Sequence, residues 1–279
     1  MDLVLHDDVQ AFARPALPLL GSDPVRHTIE ISVLDALCRG QERAAALLTV
    51  HDAGEVVGAV LRTPGRPVLV SALRPWHAAA VDDALAVADP DLPGVSGPTA
   101  VAEAFAVAHV ARTGARVLVE QRTRLFTLDE LVPPTGVPGD ARCANEGDLD
   151  LLAEWRFAFA QADRGAWTSA LSPRELVARS LRLGTGELLW QIDGVPVAQA
   201  SARAVTAGMS RIGPVYTPPE HRGRGYAAAV TAAASRWALH DGAEHVLLFT
   251  DLANPTTNRL YPRIGYRPLH DALELRFEQ

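Results

Sequence analysis

Cysteine is nearly absent from this chain. Cys38 and Cys143 are the two in 279 residues, far apart and without metal-ligand spacing. Such a pair builds neither a disulfide framework nor a zinc site, so no metal is expected and a reducing, cytoplasmic setting is. Long apolar runs are missing as well, each being broken by charge or proline well short of the roughly 18 residues that a spanning helix needs. The first twelve residues, MDLVLHDDVQAF, are acidic and hold no apolar core of a signal peptide, so neither export nor a membrane partner is expected. Basic residues are in deficit. Lys and Arg number 26 against 33 Asp and Glu, giving a net charge of −7 and a pI near 5.7. A nucleic-acid partner calls for a basic surface that displaces counterions, which excludes that class and suits a cationic or amine substrate instead.

Apolar residues are plentiful at 48% of 279, more than one ordinary core uses, and the length suggests two domains of roughly 140 residues each. The boundary falls in LVPPTGVPGDARC, residues 131–143, where Pro133, Pro134, Pro138, Gly136 and Gly139 break both helix and strand. Beyond it, Asn145 can cap a helix to about 162 with Asp148 in its first turn. Ser172-Pro173-Arg174-Glu175 reads as the capping box of a second helix. Strands follow at 187–193, 196–205 and 209–217, the first two joined by the turn at Asp193-Gly194 and the third stopped by Pro218-Pro219. Then come a helix over 225–240, a strand over 245–250, a helix over 255–264 and a strand over 266–277. The first half repeats the order, with strands at 45–51, 56–62 and 68–73, helices at 77–88 and 99–113, and strand character across 116–128. Ala111-Arg112-Thr113-Gly114-Ala115-Arg116 parallels Pro262-Arg263-Ile264-Gly265-Tyr266-Arg267, and His77-Ala78-Ala79-Ala80-Val81 parallels Tyr226-Ala227-Ala228-Ala229-Val230, which points to an internal duplication.

The densest signal is Val215-Tyr216-Thr217-Pro218-Pro219-Glu220-His221-Arg222-Gly223-Arg224-Gly225-Tyr226-Ala227, at a strand-to-helix junction. There successive backbone N–H groups can converge on an anion, the helix dipole adds positive potential, and Gly223 and Gly225 let the backbone approach phosphate oxygens. Neither a Walker loop nor a dinucleotide fingerprint fits the spacing. The stretch resembles motif A of the GNAT superfamily of N-acetyltransferases, through Arg222, Gly225 and Ala227. Leu252-Ala253-Asn254-Pro255-Thr256-Thr257-Asn258-Arg259-Leu260-Tyr261-Pro262-Arg263-Ile264-Gly265-Tyr266 resembles its motif B, an Asn and then a helix ending in Tyr, three residues, Gly and an aromatic. The resemblance covers residues 140–279. It implies an α/β fold of tandem GNAT-like lobes, each a mixed, mostly antiparallel twisted sheet flanked by helices. A degenerate lobe would span 1–130, a linker 131–143 and the acetyl-CoA-binding domain 144–279.

In that family acetyl-CoA, the cosubstrate, lies in a V-shaped opening between the third and fourth strands after the two leading helices. The resemblance implies that the backbone of Val215, Tyr216 and Thr217 pairs with the pantetheine arm like an added strand. Arg222, Gly223, Arg224, Gly225, Tyr226 and Ala227 would hold the pyrophosphate, and Asn254 the pantetheine amide, whether or not Asn254 also caps its helix. Tyr261 would be the catalytic acid: amine attack on a thioester builds an oxyanion and expels a thiolate that needs a proton, and a phenol of ordinary pKa near 10 is protonated at neutral pH. The general base stays open among Glu187, Asp193, Glu220, His221 and a water chain. Asn258 reads as a solvated helix residue. Trp155, Trp167 and Trp190 read as core or as the lining of an acceptor cleft.

The first half lacks the loop. From Gly54 to His77 it counts 23 residues where Gly194 to Tyr226 counts 32, and Leu73-Arg74-Pro75-Trp76 replaces the Arg-Gly pair. Val110 and Glu103 stand where Tyr261 and Asn254 would be. That lobe is therefore expected to bind no acetyl-CoA and to shape the acceptor cleft or support the sheet. The expected activity is acetyl transfer to an amine of a small molecule or peptide. The alternatives are a mycothiol-synthase-like acetyltransferase and a CoA-binding sensor or interaction module without catalysis. The reading leaves room for a homodimer.

Overall fold

A computed structural model describes residues 1–162, 171–183 and 185–278. The chain forms two compact units, Met1–Thr123 together with His270–Gln279, and Arg124–Leu269. The elements of the first are β1 (Asp2–Leu5), α1 (Val9–Gly21), α2 (Thr28–Cys38), β2 (Ala46–Asp52), β3 (Glu55–Arg62), β4 (Val68–Leu69), α3 (Ala78–Ala88), β5 (Gly94–Pro98), α4 (Thr99–Thr113) and the start of β6 (Arg116–Leu128). The second holds the end of β6, then β7 (Asp140–Cys143), α5 (Leu149–Ala162), α6 (Pro173–Arg182), β8 (Gly186–Ile192), β9 (Val195–Ala202), β10 (Met209–Tyr216), α7 (Tyr226–His240), β11 (His245–Asp251), α8 (Pro255–Arg263) and the start of β12 (Tyr266–Glu278). The two series match element for element, which is the tandem GNAT-like arrangement expected from the sequence.

Three features depart from that expectation. First, β1, α1 and α2 precede the repeat read from the first half. Helix α1 carries Pro15 and Pro18, which read as breakers, yet it buries Phe12, Ala13, Ala16 and Leu20 on one side and is capped by Asp8 Oδ1, 2.8 Å from the Ala11 N–H. Second, the segment expected as linker ends in β7, which pairs antiparallel with β8 from Asp140↔Gln191 to Cys143↔Leu188. Third, β12 begins in the second unit and ends in the first, where Ala272–Arg276 pair antiparallel with Pro98–Gly94 of β5 and Leu273 and Leu275 join the core. The units are therefore not contiguous stretches of sequence. A strand is allotted by whichever edge its backbone groups and apolar side chains can satisfy, and nothing local announces that choice.

In the second unit β7, β8, β9 and β10 are successively antiparallel, and β10 pairs parallel with β11. One face of this sheet packs Leu188, Ala198, Ala200, Ala202 and Ile212 against the Ala-rich α7. Small residues bring helix and sheet close: a Cβ on Gly186 would sit 2.4 Å from the Trp237 ring. The opposite face carries α5 and α6 over Leu189, with Leu152, Trp155 and Val177 buried between them. Ser172 opens α6 with the expected capping box, its Oγ accepting the Glu175 N–H while the Glu175 carboxylate takes the Ser172 N–H. Among the described residues no helix is long and apolar enough to cross a membrane.

Gly265 shows why a glycine follows α8. It sits at φ +100°, and a Cβ there would lie 1.8 Å from the Glu130 carbonyl oxygen, on the same backbone path where the Asp129 N–H donates to the Gly265 carbonyl at 3.0 Å. Gly265→Ala combines left-handed strain with a backbone collision, and should cost about 2–5 kcal/mol. Urea unfolding of the two proteins measures it; equal midpoints would contradict this account.

Candidate active site

The site begins where two strands part. β10 and β11 are paired in parallel at Met209↔His245, Ser210↔Val246 and Arg211↔Leu247, and the register goes no further, although β10 continues to Tyr216 and β11 to Asp251. On its other side β10 stays with β9, but Ile212 faces Ala202 and Val215 faces Ala200, so two residues of β10, Gly213 and Pro214, stand against one of β9, Ser201. Bulges bend a strand and redirect its backbone groups. From Ile212 to Tyr216 the β11-facing edge of β10 is thus open to an extended ligand.

The loop that follows carries two left-handed glycines. After Tyr216 the chain turns through a short 3₁₀ segment, Pro219–His221, and Arg222 Nε donates to the Thr217 carbonyl at 3.0 Å. Gly223 and Gly225 both take left-handed backbone, φ +76° and +84°, and a Cβ on Gly223 would meet no atom within 4 Å. Gly225 caps α7 with no side-chain hydrogen bond, and the first bond to return to the turn is Ala229 N–H to the Gly225 carbonyl at 3.1 Å. The amides of the first turn are therefore left to an external acceptor, at the positive end of the helix dipole. By contrast α1, α6 and α8 each begin with a side-chain cap. Arg222 and Arg224 are exposed beside the loop, Tyr226 is buried, and the Thr217 Oγ1 is buried with no hydrogen-bond partner among the described residues.

Helix α8 presents motif B. Asn254 Oδ1 accepts from the N–H groups of Thr256 at 3.1 Å and Thr257 at 3.2 Å, so it is a helix cap; the residue is exposed and its Nδ2 makes no hydrogen bond among the described residues. Asn258 is not the solvated residue expected. Its Nδ2 donates to the carbonyls of Asp251 and Asn254, each at 2.8 Å, and its Oδ1 is buried without a partner, which pins the turn between β11 and α8. Tyr261 lies in the C-terminal half of α8, 6% exposed, with ring centroids 6.1 Å from Phe126 and 6.0 Å from Tyr266. Burial pushes its phenol up to about 12, so the hydroxyl keeps its proton throughout the physiological range.

The candidate bases separate clearly. Asp193 is exposed at the β8–β9 turn with φ 49°, and Glu220 is exposed in the 3₁₀ segment that also holds His221. Glu187 is 3% exposed on β8, where it accepts from Ser201 Oγ at 3.0 Å and Arg156 at 3.3 Å; burial raises its pKa against the pull of Arg156 and Ser201. Trp155 is core beside Tyr216, with ring centroids 6.0 Å apart, and Trp190 Nε1 donates to the Pro138 carbonyl at 2.9 Å. Trp167 lies outside the described residues.

The first unit differs where it matters. Its β4 stops at Leu69, Val70 N–H still donates to the Ser96 carbonyl of β5 at 3.0 Å, and a Cβ on Gly97 would sit 2.7 Å from Val70. The strands stay together. A 3₁₀ segment led by Pro75 then takes the place of the glycine loop, with Trp76 74% exposed. Among the described residues no group of three or more His, Cys, Asp or Glu could hold a metal.

A parted parallel pair, a helix start led by Gly225 and the tyrosine-bearing α8 together form the candidate site. Residues 151–266 match the model of the Acetyltransferase (GNAT) family. The chain is similar to a mycothiol acetyltransferase of Acidothermus cellulolyticus, at 27% identity over 183 residues, covering 59% of this chain and 54% of that protein. The matched part spans about half the length of that relative. The fold is similar over the whole chain to a GNAT-family acetyltransferase from Colwellia psychrerythraea, with a TM-score of 0.63, 12% identity and 100% of both chains covered. It is also similar to a tandem GNAT protein from the clavulanic acid biosynthesis pathway, with a TM-score of 0.60, 15% identity, and 99% and 98% covered.

The raised pKa of Tyr261 has a stability consequence. Its folded value, about 12, exceeds the unfolded value near 10, so the contribution is complete below pH 10 and is lost as pH rises through 12. Between pH 9 and 11.5 the wild type should lose about 2 kcal/mol more than Tyr261→Phe, read from urea midpoints at the two pH values. Parallel losses would mean the phenol is not desolvated.

Proposed function

We propose that the second unit transfers acetyl from acetyl-CoA to an amine of a small molecule or peptide. The observation that carries this reading is the uncapped start of α7, behind two left-handed glycines and next to the edge that β10 exposes beyond Arg211. The residues present fit the cosubstrate. Val215, Tyr216 and Thr217 offer backbone to an extended pantetheine arm, and the buried, unpaired Thr217 Oγ1 is a polar atom still in need of a partner. The amides from Gly223 to Ala227, with Arg222 and Arg224, suit a pyrophosphate. Asn254 can donate through Nδ2 while Oδ1 keeps the cap.

Acetyl-CoA supplies an activated acyl group on a good leaving thiol. The protein's part is to hold that group along β10, to offer backbone N–H groups where negative charge develops, and to return a proton to sulfur from Tyr261 Oη. With its pKa near 12 the phenol does not ionise beforehand, so the proton is still on Oη when the thiolate departs. The first unit, with its strands joined and its loop replaced, is proposed to bind no acetyl-CoA.

The likeness to a mycothiol acetyltransferase supports one narrower acceptor, a cysteinyl pseudodisaccharide, which belongs in any amine screen. Thermal unfolding with and without acetyl-CoA tests the cofactor site. Cosubstrate at a hundred times its Kd should stabilise the wild type by about 2.7 kcal/mol, and Gly223→Asp, which places a carboxylate at an open left-handed position, should abolish the shift without lowering the unliganded midpoint by more than a few degrees. No shift in the wild type at millimolar acetyl-CoA would overturn the assignment. For the chemistry, Tyr261→Phe should lower kcat roughly a hundredfold with KM for acetyl-CoA unchanged; an unchanged kcat would remove Tyr261 from the mechanism.

A further inference from the structure

The face of the second sheet under α5 and α6 carries a polar cluster that the acetyl donor does not use. The register Glu187↔Ser201 and Leu189↔Gln199 puts these side chains on one face, and Tyr216↔Gln199 adds β10 to it. The Arg203 N–H donates to the Arg211 carbonyl at 3.0 Å, so the β9–β10 ladder runs one residue past Ala202 and Arg203 falls on the same face as Ser201. Ser210 Oγ donates to the Arg203 carbonyl at 2.6 Å, which fixes the backbone from which the side chain departs. Arg203 is thus one residue from the position opposite Ile212, where the bulge of β10 begins.

The charges in this cluster do not balance. Glu187 is its buried carboxylate, and it is already engaged by Arg156 at 3.3 Å and Ser201 at 3.0 Å. The Arg203 guanidinium has no ion pair or hydrogen bond among the described residues. The charges that act on it are Arg156 and Arg179, which repel it, and the shared Glu187. Arg203 is exposed, so a molecule arriving from solvent can reach it. Two more atoms of the cluster have no partner among the described residues. Arg156 Nε is buried and donates to nothing, and Gln199, 1% exposed, has an Oε1 that accepts from nothing. Unpaired polar atoms in such number at one place are costly unless a ligand completes them.

We propose that this cluster is the acceptor's anion subsite: the amine that is acetylated carries a carboxylate or phosphate, bound by Arg203 with Arg156, and Gln199 accepts a hydrogen bond from the same molecule. This rests on the transferase reading above and narrows its acceptor to anionic amines. Guanidinium is the suitable group, since its planar fork matches a two-oxygen anion, and Glu187 serves to hold Arg156 in place.

The test uses matched probes on the full chain loaded with acetyl-CoA. Free amino acids are compared with their amides, and phosphoethanolamine with ethanolamine, by CoA release and by thermal shift. At least one acidic probe should exceed its neutral partner roughly thirtyfold in kcat/KM, the loss expected when a hydrogen-bonded charge pair is not made. The amino-acid and phosphate arms tell carboxylate from phosphate. Arg203→Gln should erase the preference, Arg203→Lys should keep part of it, and neither should lower the unliganded midpoint, because Arg203 is exposed and has no partner among the described residues. Neutral probes that match the acidic ones, no acidic probe that reacts, or an Arg203→Gln protein that keeps the preference would each overturn the subsite. The acetyl-CoA shift itself separates the two readings: a normal shift without acid preference sinks the anion subsite alone, whereas no shift removes the transferase as well.

Discussion

Backbone hydrogen bonding governs the second unit. Each N–H and C=O taken from water must find a partner, and β10 meets that demand on its β9 side along its length but on its β11 side only as far as Arg211. Past that residue β10 keeps going and bulges at Gly213-Pro214 without regaining β11. An open strand edge inside a packed domain is a place where a ligand can take the role of a strand. The glycine loop follows its end, and α7 starts from that loop.

The two faces of the same sheet have divided the labour. Toward α7 they are built of alanines and other small apolar residues, so the helix lies close and its N-terminus is held rigidly against the strand end. Toward α5 and α6 the apolar cluster of Leu152, Trp155, Val177 and Leu189 is interrupted by Glu187, Gln199 and Ser201. A core that served stability alone would carry apolar side chains at those positions, because buried polar groups repay their desolvation only when fully partnered. The first unit has the same element order with the opposite outcome. There β4 is short, Gly97 packs on Val70, and the strands close where the second unit opens. Its buried charges are matched internally: Asp82 is desolvated, yet His109 at 2.7 Å and Arg112 at 2.7 Å hold its pKa below the usual range.

How much of this was legible in the sequence depends on how local the cause is. The Arg222–Ala227 loop and the Asn254–Tyr266 helix could be read because turn geometry, capping and dipole act over a few residues. The expected elements from 187 to 277 fall at or near their observed positions for the same reason. Helix α1 was hidden by its two prolines, and β7 by the proline- and glycine-rich stretch before it. Asn258 looked like a surface residue since nothing nearby in sequence shows that the turn folds back to offer it three carbonyls. Arg203 had no motif to mark it. Its place opposite Arg211, and the lack of a partner for its charge, exist only once β9 and β10 are paired.

The sequence by itself determined the repeated order of elements and the glycine turn before α7, because these follow from side-chain type at short spacing. Tertiary structure alone decided that β12 completes the first unit, that β10 and β11 part after Arg211, and that Arg156, Glu187 and Arg203 share a face. Each of those is a matter of which distant backbone edge is satisfied and at what register, and a shift of one residue in register would send every one of those side chains to the other side of the sheet.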